Sequence, residues 1–323
     1  MRSLQFVITV LVLLFSLSVG NAGLVAGRSI PDGRDAGIIL RIGQVASIEA
    51  SIKDQNQSSG LLRQDYSLKD LGVEGGYVTY GLSADKAWKF FGLQLDLLYF
   101  GLSEDITAQQ NYNISVDSIG LSGADYLHVV ANSELQVDLT GGIAELHGLF
   151  TPISFQISES ITISPWVSMG VMVMGGDYDL NNGEVTAVVS YGAFSESYSV
   201  GGSASGTVGL IVPDVGVGGE IRVGAVDDFN FVLNAHYSIL PMSEYFAEVL
   251  STQSGATDVT LDYTNIKING SLEMPLDNGK AWVLGVQYEL LEALSEMNLN
   301  DDLFEKSIDF NMTILTGSVG LRF

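Results

Sequence analysis

Cysteine is absent from the 323 residues, which rules out disulfides, thiol nucleophiles and cysteine metal sites. Histidine is nearly absent: His128, His147 and His236 bound any search for an imidazole-based catalytic or metal centre. Basic residues are scarce, with 14 Lys and Arg against 38 Asp and Glu, and a formal charge of −24 leaves no surface for holding nucleic-acid phosphates. Beyond the amino-terminal region no segment reaches the roughly eighteen consecutive apolar residues of a membrane-spanning helix. Charge of either sign is low at 16%, yet 46% of the residues are hydrophobic, mean hydropathy is +0.28 and 37 residues are glycine. Membrane-spanning strands reconcile these values. They alternate one lipid-facing apolar residue with one inward residue and never build a long apolar run.

The first residues have the form of an export signal. Arg2 supplies a positive charge, Leu4 to Leu17 is almost unbrokenly apolar, and Gly20-Asn21-Ala22 presents small side chains suited to cleavage. Residues 1–22 are therefore expected to be a cleaved signal peptide, 23–35 a short periplasmic lead-in and 36–323 the body. Loss of Arg2 leaves 13 basic residues against 38 acidic ones, an excess expected to reside largely in solvated loops.

The body reads as long strands joined alternately by long and short connections. In Ala36 to Lys53, Ile38, Leu40, Ile42, Ala46, Ile48, Ala50 and Ile52 share one parity, while Arg41, Gly43, Ser47, Glu49 and Ser51 share the other. That period of two is a strand signal. Further strands are expected up to Leu82, from Trp88, over Leu135 to Ile157, Ile161 to Leu180, up to Gly224, Phe229 to Leu240, Thr257 to Met274, Ala281 to about Leu291 and Ser307 to Phe323. Tight turns fall at Ser83 to Ala87, Ser158 to Ser160, Ala225 to Asp228 and Pro275 to Lys280. Long polar connections fall between them. This predicts an all-β fold, an antiparallel up-and-down transmembrane β-barrel of about ten strands, with 8 or 12 as alternatives because Leu102 to Glu134 has room for another pair.

Three hairpins share a pattern, a glycine-rich strand leading to an Asp-containing turn and then an aromatic residue: Trp88, Phe229 and Trp282. With Trp166, also just after a short turn, these are the candidates for an aromatic girdle at the periplasmic interface.

The chain ends Thr316-Gly317-Ser318-Val319-Gly320-Leu321-Arg322-Phe323. Phe323, Leu321 and Gly317 resemble the closing strand of bacterial outer-membrane β-barrel proteins, which ends in phenylalanine with an apolar residue two positions earlier and a glycine upstream. The resemblance implies outer-membrane lipid as the surroundings, with periplasmic chaperones and the barrel-assembly machinery as folding partners. Val319, Leu321 and Phe323 are out of phase with Ile308, Phe310, Met312 and Ile314, so a bulge near Leu315 to Ser318 is expected to bring both sets to the lipid.

The polar lumen candidates are Arg41, Glu49, Glu74, Asp96, Glu145 and His147 in the first half of the barrel. In the second half they are Glu220, Arg222, Asn234, His236, Lys267, Glu273 and Glu289. Opposite charges in so narrow a barrel are expected to pair across it and fill it. His236 shares its face with Asn234 and Ser238, a pattern with a superficial likeness to lipid A deacylases, but one that points inward, away from lipid. Against the omptin proteases, Asn234 stands where an Asp is needed. No phosphate loop, dinucleotide fingerprint, zinc motif or EF-hand spacing is present, so no cofactor or metal is expected. The expectation is a non-enzymatic barrel with a structural or surface-binding role. A small cation-preferring, porin-like channel is the alternative, and an outer-membrane hydrolase a remote one.

Overall fold

The computed structural model describes residues 23–28, 34–56, 64–67, 76–107, 112–115, 126–129, 134–182, 185–191, 194–200, 203–224, 229–241, 243, 256–299 and 304–323. The expected signal peptide, Glu74 and the turn at Ala225 to Asp228 lie outside them. The strands are β1 (Gly23–Ala26), β2 (Ala36–Asn56), β3 (Gln64–Ser67), β4 (Tyr77–Ala87), β5 (Phe91–Thr107), β6 (Tyr112–Ser115), β7 (Tyr126–Val129), β8 (Glu134–Phe150) and β9 (Ile153–Ser158). They continue with β10 (Ile161–Asn182), β11 (Val185–Tyr191), β12 (Phe194–Val200), β13 (Ser203–Val223), β14 (Asn230–Ile239), β15 (Ala256–Pro275), β16 (Ala281–Leu299) and β17 (Phe304–Arg322).

Ten of these, β2, β4, β5, β8, β10, β13, β14, β15, β16 and β17, form a closed antiparallel barrel. Closure is made by β17 on β2, whose register runs from Phe304 opposite Asn56 to Arg322 opposite Gly37. Backbone bonds of 2.9 Å in both directions between Ala36 and Phe323 finish the seam. The carboxy-terminal strand is thus the closing strand. The segment after β5 adds no barrel strand: β6 and β7 join β11 and β12 in a separate four-stranded sheet built from two of the long connections. Closure gives each of the ten barrel strands a partner on both sides, which is how strands satisfy their backbone in a membrane.

The expected strands are present, with shifted boundaries. Ser83 to Ala87 belongs to β4, and the first tight turn is Trp88 to Phe90. The expected fourth strand is two, β8 and β9, broken at Thr151-Pro152, where proline has no N–H for the ladder. The last connection is mostly strand, since β16 and β17 stay paired out to Leu299 opposite Phe304.

Outside, the wall is apolar: Ile38, Leu40, Ile42, Phe91, Met169 and Val286 are all exposed. Inside, the composition changes with height. Near the tight turns, the end called the base here, the lumen is charged. Farther up, Val45, Met172, Leu291, Met312 and Ile314 are 0–1% exposed and pack with Tyr77, Phe100 and Tyr263 into an apolar core.

This upper core corrects the expected phase of two strands. β17 is continuous from Ile314 to Arg322, with no bulge near Leu315 to Ser318. Instead Met312 and Ile314 face inward, while Leu315, Val319, Leu321 and Phe323 face outward. The irregularity lies on β2, where Val45 pairs with Ile314 and Ser47 with Thr313, leaving Ala46 as an extra residue. Past this bulge the facing of β2 reverses. Ile48 turns inward, 3% exposed, and Glu49 turns outward.

Candidate functional site

Cross-strand register brings the inward side chains into rows. One row reads Tyr77, Val45, Ile314, Glu289, Lys267, His236, Gly218, Trp166 across β4, β2, β17, β16, β15, β14, β13 and β10. It passes from the apolar core into the charged zone, which has two clusters and a pair of histidines.

In the upper cluster, Asp96 on β5 and Glu145 on β8 stand directly opposite one another, a repulsive arrangement unless cations intervene. Lys267 supplies one from the far wall. Its ammonium bonds Glu145 and lies 3.5 Å from both Asp96 and Glu289. Asp96 accepts from Arg41 at 3.2 Å, from the Ser83 hydroxyl at 2.5 Å and from the Gln94 amide at 2.8 Å. Asn265 donates its amide to Glu145 at 2.9 Å and Glu289 at 3.2 Å. All the charged groups are at least nine-tenths buried, so each depends on these partners rather than on water.

Four arginines gather in the cluster nearer the base. Arg222 grips Glu273 with two bonds, 2.6 and 3.3 Å, a fork geometry that favours guanidinium over ammonium. Arg322 places Nε 3.0 Å from Glu273 and donates to Asp85 at 2.8 Å. Arg34 lies 3.6 Å from Glu273, and Arg28 donates to Glu220 at 2.5 Å.

Between the clusters, His147 Nε2 and Asp214 Oδ2 are 2.9 Å apart, and His236 Nε2 and Ser168 Oγ are 2.8 Å apart. The two imidazoles meet edge to face at 5.1 Å. β13 separates β10 from β14, and Gly216 is what lets Ser168 and His236 touch across it. A Cβ there would lie 2.5 Å from His236 Nε2, 2.6 Å from Ser168 Oγ and 2.7 Å from the Tyr237 carbonyl. A serine beside an imidazole is half of a nucleophilic arrangement, but the carboxylate bonds the other histidine and Ser168 is only 6% exposed. As it stands the constellation pairs buried polar groups with one another.

Of the expected lumen residues, Arg41, Asp96, Glu145, His147, Glu220, Arg222, Lys267, Glu273 and Glu289 are buried inside the barrel, and Asn234 and His236 lie half-buried on the same face. Glu49 is corrected: the bulge at Ala46 turns it outward. Trp166 is corrected as well. It shares the inward parity of Ser164 and Ser168 and is 8% exposed, whereas Trp88 (52%), Phe229 (62%) and Trp282 (43%) are exposed on the outer wall near the base. Leu321 and Phe323 face outward, and Gly317 floors an outer notch lined by Val78, Val286 and Leu315. Asn234 and Ser238 were expected to accompany His236, yet the described bond of His236 goes to Ser168. Ser168, Asp214, Asn265, Asp85, Arg322, Arg28 and Arg34 complete the site without standing among the lumen candidates. A parity count would have turned Ser168, Asp214, Asn265, Asp85 and Arg322 inward, but no strand pattern announces Arg28 or Arg34. Among the described residues no group of three or more His, Asp or Glu is arranged to hold a metal ion.

These features define a class: a closed ten-stranded antiparallel barrel, apolar outside and ion-paired within. No protein-family model matches the sequence, and no curated protein does. Solved structures similar to the chain are bacterial outer-membrane β-barrels. The outer membrane protease OmpT of Escherichia coli shares 9% identity at a TM-score of 0.49, over 91% of this chain and 97% of that one. Ail, the attachment invasion locus protein of Yersinia pestis, shares 10% at 0.25, over 89% and 99%. The toluene transporter TodX of P. putida shares 8% at 0.24, over 91% of each.

Proposed function

We propose that this chain is an integral outer-membrane barrel with a closed interior, serving a structural or surface-binding role through the long connections opposite its base. The closed interior carries the reading. Lys267 reaches across the lumen to carboxylates on β5 and β8 besides its neighbour Glu289, and the apolar core above it leaves Val45, Leu291 and Met312 0% exposed. A water-filled path would need inward polar side chains that stay wet along its length. The exposed apolar wall, the base-side Trp88, Phe229 and Trp282, and the closing strand ending at Phe323 support a membrane setting. On this reading the chain is exported by a signal ending at Ala22 and folded with periplasmic chaperones and the barrel-assembly machinery.

Detergent-extracted protein should migrate differently on a gel before and after boiling. Release into a detergent-free periplasmic extract would end the membrane reading. In a planar bilayer the closed barrel should give no stable conductance. A steady cation-selective current, reduced by Glu220→Gln, would replace it with a small passive channel.

A lumenal hydrolase is the second reading, kept because Ser168 and His236 are in hydrogen-bond contact. Labelling of the folded protein by a fluorophosphonate, lost in Ser168→Ala, would establish it. The burial of Ser168 leads us to expect no labelling.

A further inference from the structure

β9 continues toward the base beyond the reach of β5, which begins at Phe91 opposite Phe150. β1 takes the open edge, pairing Gly23, Leu24, Val25 and Ala26 with Gln156, Phe155, Ser154 and Ile153. The connection that follows is held through its backbone. Gly27 N–H donates to the Pro152 carbonyl at 2.9 Å, Arg28 N–H to the Lys89 carbonyl at 2.6 Å, and Ser154 Oγ to the Gly27 carbonyl at 2.7 Å. Gly27 has φ of 79°, and a Cβ there would come within 2.2 Å of the Lys89 carbonyl oxygen. Only glycine fits that conformation and approach without strain.

Two guanidinium groups enter the barrel from this arm. Arg28 is bonded to Glu220, which is 2% exposed and whose other described cation is Arg222 at 3.5 Å. Arg34, 3% exposed, donates Nε to the Gly279 carbonyl at 3.2 Å and adds a third arginine beside Glu273. With both present, four arginines face Glu220, Glu273 and Asp85. Without the arm, two arginines face the same three carboxylates, and Glu220 loses its short contact.

We propose that residues 23–28, through β1, Gly27 and Arg28, together with Arg34 form a docked arm that closes the barrel base, in which Arg28 is the working counter-ion of Glu220. Undocked, the arm leaves an acidic mouth at the base; docked, it both extends the wall and neutralises the interior behind it. The closure concerns the barrel base alone and holds whether or not the barrel spans a membrane.

Limited trypsin digestion of the folded full-length chain tests it, read by intact mass with circular dichroism confirming that the barrel persists. The bond after Arg28 should survive at least tenfold longer in the parent protein than in Glu220→Gln, which keeps the cleavage site but removes its carboxylate. Gly27→Val keeps every charge and should release the arm to a similar degree. Glu273→Gln should leave Arg28 protected, because Glu273 is not its partner. Because Glu220→Gln risks misfolding, a second measurement uses the absence of native cysteine. Leu24→Cys with Phe155→Cys, register partners of β1 and β9, should form a disulfide on mild oxidation of the folded protein. Cleavage at Arg28 equally fast in the parent protein and the variants, or no disulfide in a folded double-cysteine barrel, would overturn the closure.

Discussion

Lys267 shows how much one side chain carries when the interior is dry. From β15 it meets Asp96 and Glu145 across the lumen on β5 and β8 and Glu289 on the neighbouring β16; removing it takes the only described cation from Glu145 and Glu289 and leaves Asp96 with Arg41 alone. Lys267→Met should therefore destabilise the barrel by about 3–5 kcal/mol, measured by denaturant unfolding. Adding Glu145→Gln should restore part of that loss, because the pair is coupled. A Lys267→Met barrel as stable as its parent would mean that water reaches the cluster. Gly216→Ala tests the neighbouring histidines. The new methyl meets Ser168, His236 and a backbone carbonyl together, so a loss of about 1–3 kcal/mol is expected in the same assay. At the edge of β2, Asp35 differs because it lies near water. The hydrogen bond from Lys86 holds its carboxyl below the ordinary carboxylate range. A lowered pKa stabilises the fold above the unfolded value of about 3.9, and the contribution fades as pH falls through the folded value. Lys86→Met should thus melt slightly below the parent at neutral pH, with the gap closing as the solution is acidified through that range. Both side chains are more than 40% exposed, which keeps the gap small.

β2 and β17 are legible in the sequence on one face only. Alternation identifies both strands because the outer face is uniformly apolar. It does not identify the inner face where that face is apolar too. Met312 and Ile314 on β17 and Ile48 on β2 look like lipid contacts when the interior is taken to be polar throughout, and a bulge then seems to be needed on the wrong strand. The true extra residue, Ala46, has no chemistry to mark it. Trp166 is deceptive for a related reason: a nearby tight turn suggests an outward girdle, whereas its parity with Ser164 and Ser168 turns it inward. Most of the charged lumen residues were more legible, since a charge on an apolar wall is costly, and Glu49, beyond the bulge, is the exception. Their partners were not. Ser168 meets His236 across a glycine of an intervening strand, a contact fixed by register between segments far apart in sequence. The bulge gives a direct expectation. Glu49→Cys should react quickly with a water-soluble maleimide in the folded protein, and Ile48→Cys should be at least tenfold slower. Reversed rates would place the bulge elsewhere and return Glu49 to the lumen.

For the whole molecule, the charge distribution follows from how the barrel is filled. Six of the 14 basic residues, Arg28, Arg34, Arg41, Arg222, Lys267 and Arg322, are committed to lumenal carboxylates. Among the described residues the lumen is therefore close to charge balance, its carboxylates answered by these six cations. The outer wall has the opposite, apolar character, and its tryptophans supply a test of whether it meets lipid. Trp88 and Trp282 stand on the outer face near the base, while Trp166 lies inside the same end. Three single-tryptophan proteins, each with the other two replaced by phenylalanine, should separate in bilayers containing brominated acyl chains. Bromine quenches by contact, so Trp88 and Trp282 should lose much of their emission and Trp166 little. Equal quenching of all three would put Trp166 in lipid and reverse the facing of β10. That reversal would also remove Ser168 from the lumen and leave His236 without its partner. Quenching of none would take the apolar wall out of the bilayer, and the exposed surface would then need another occupant.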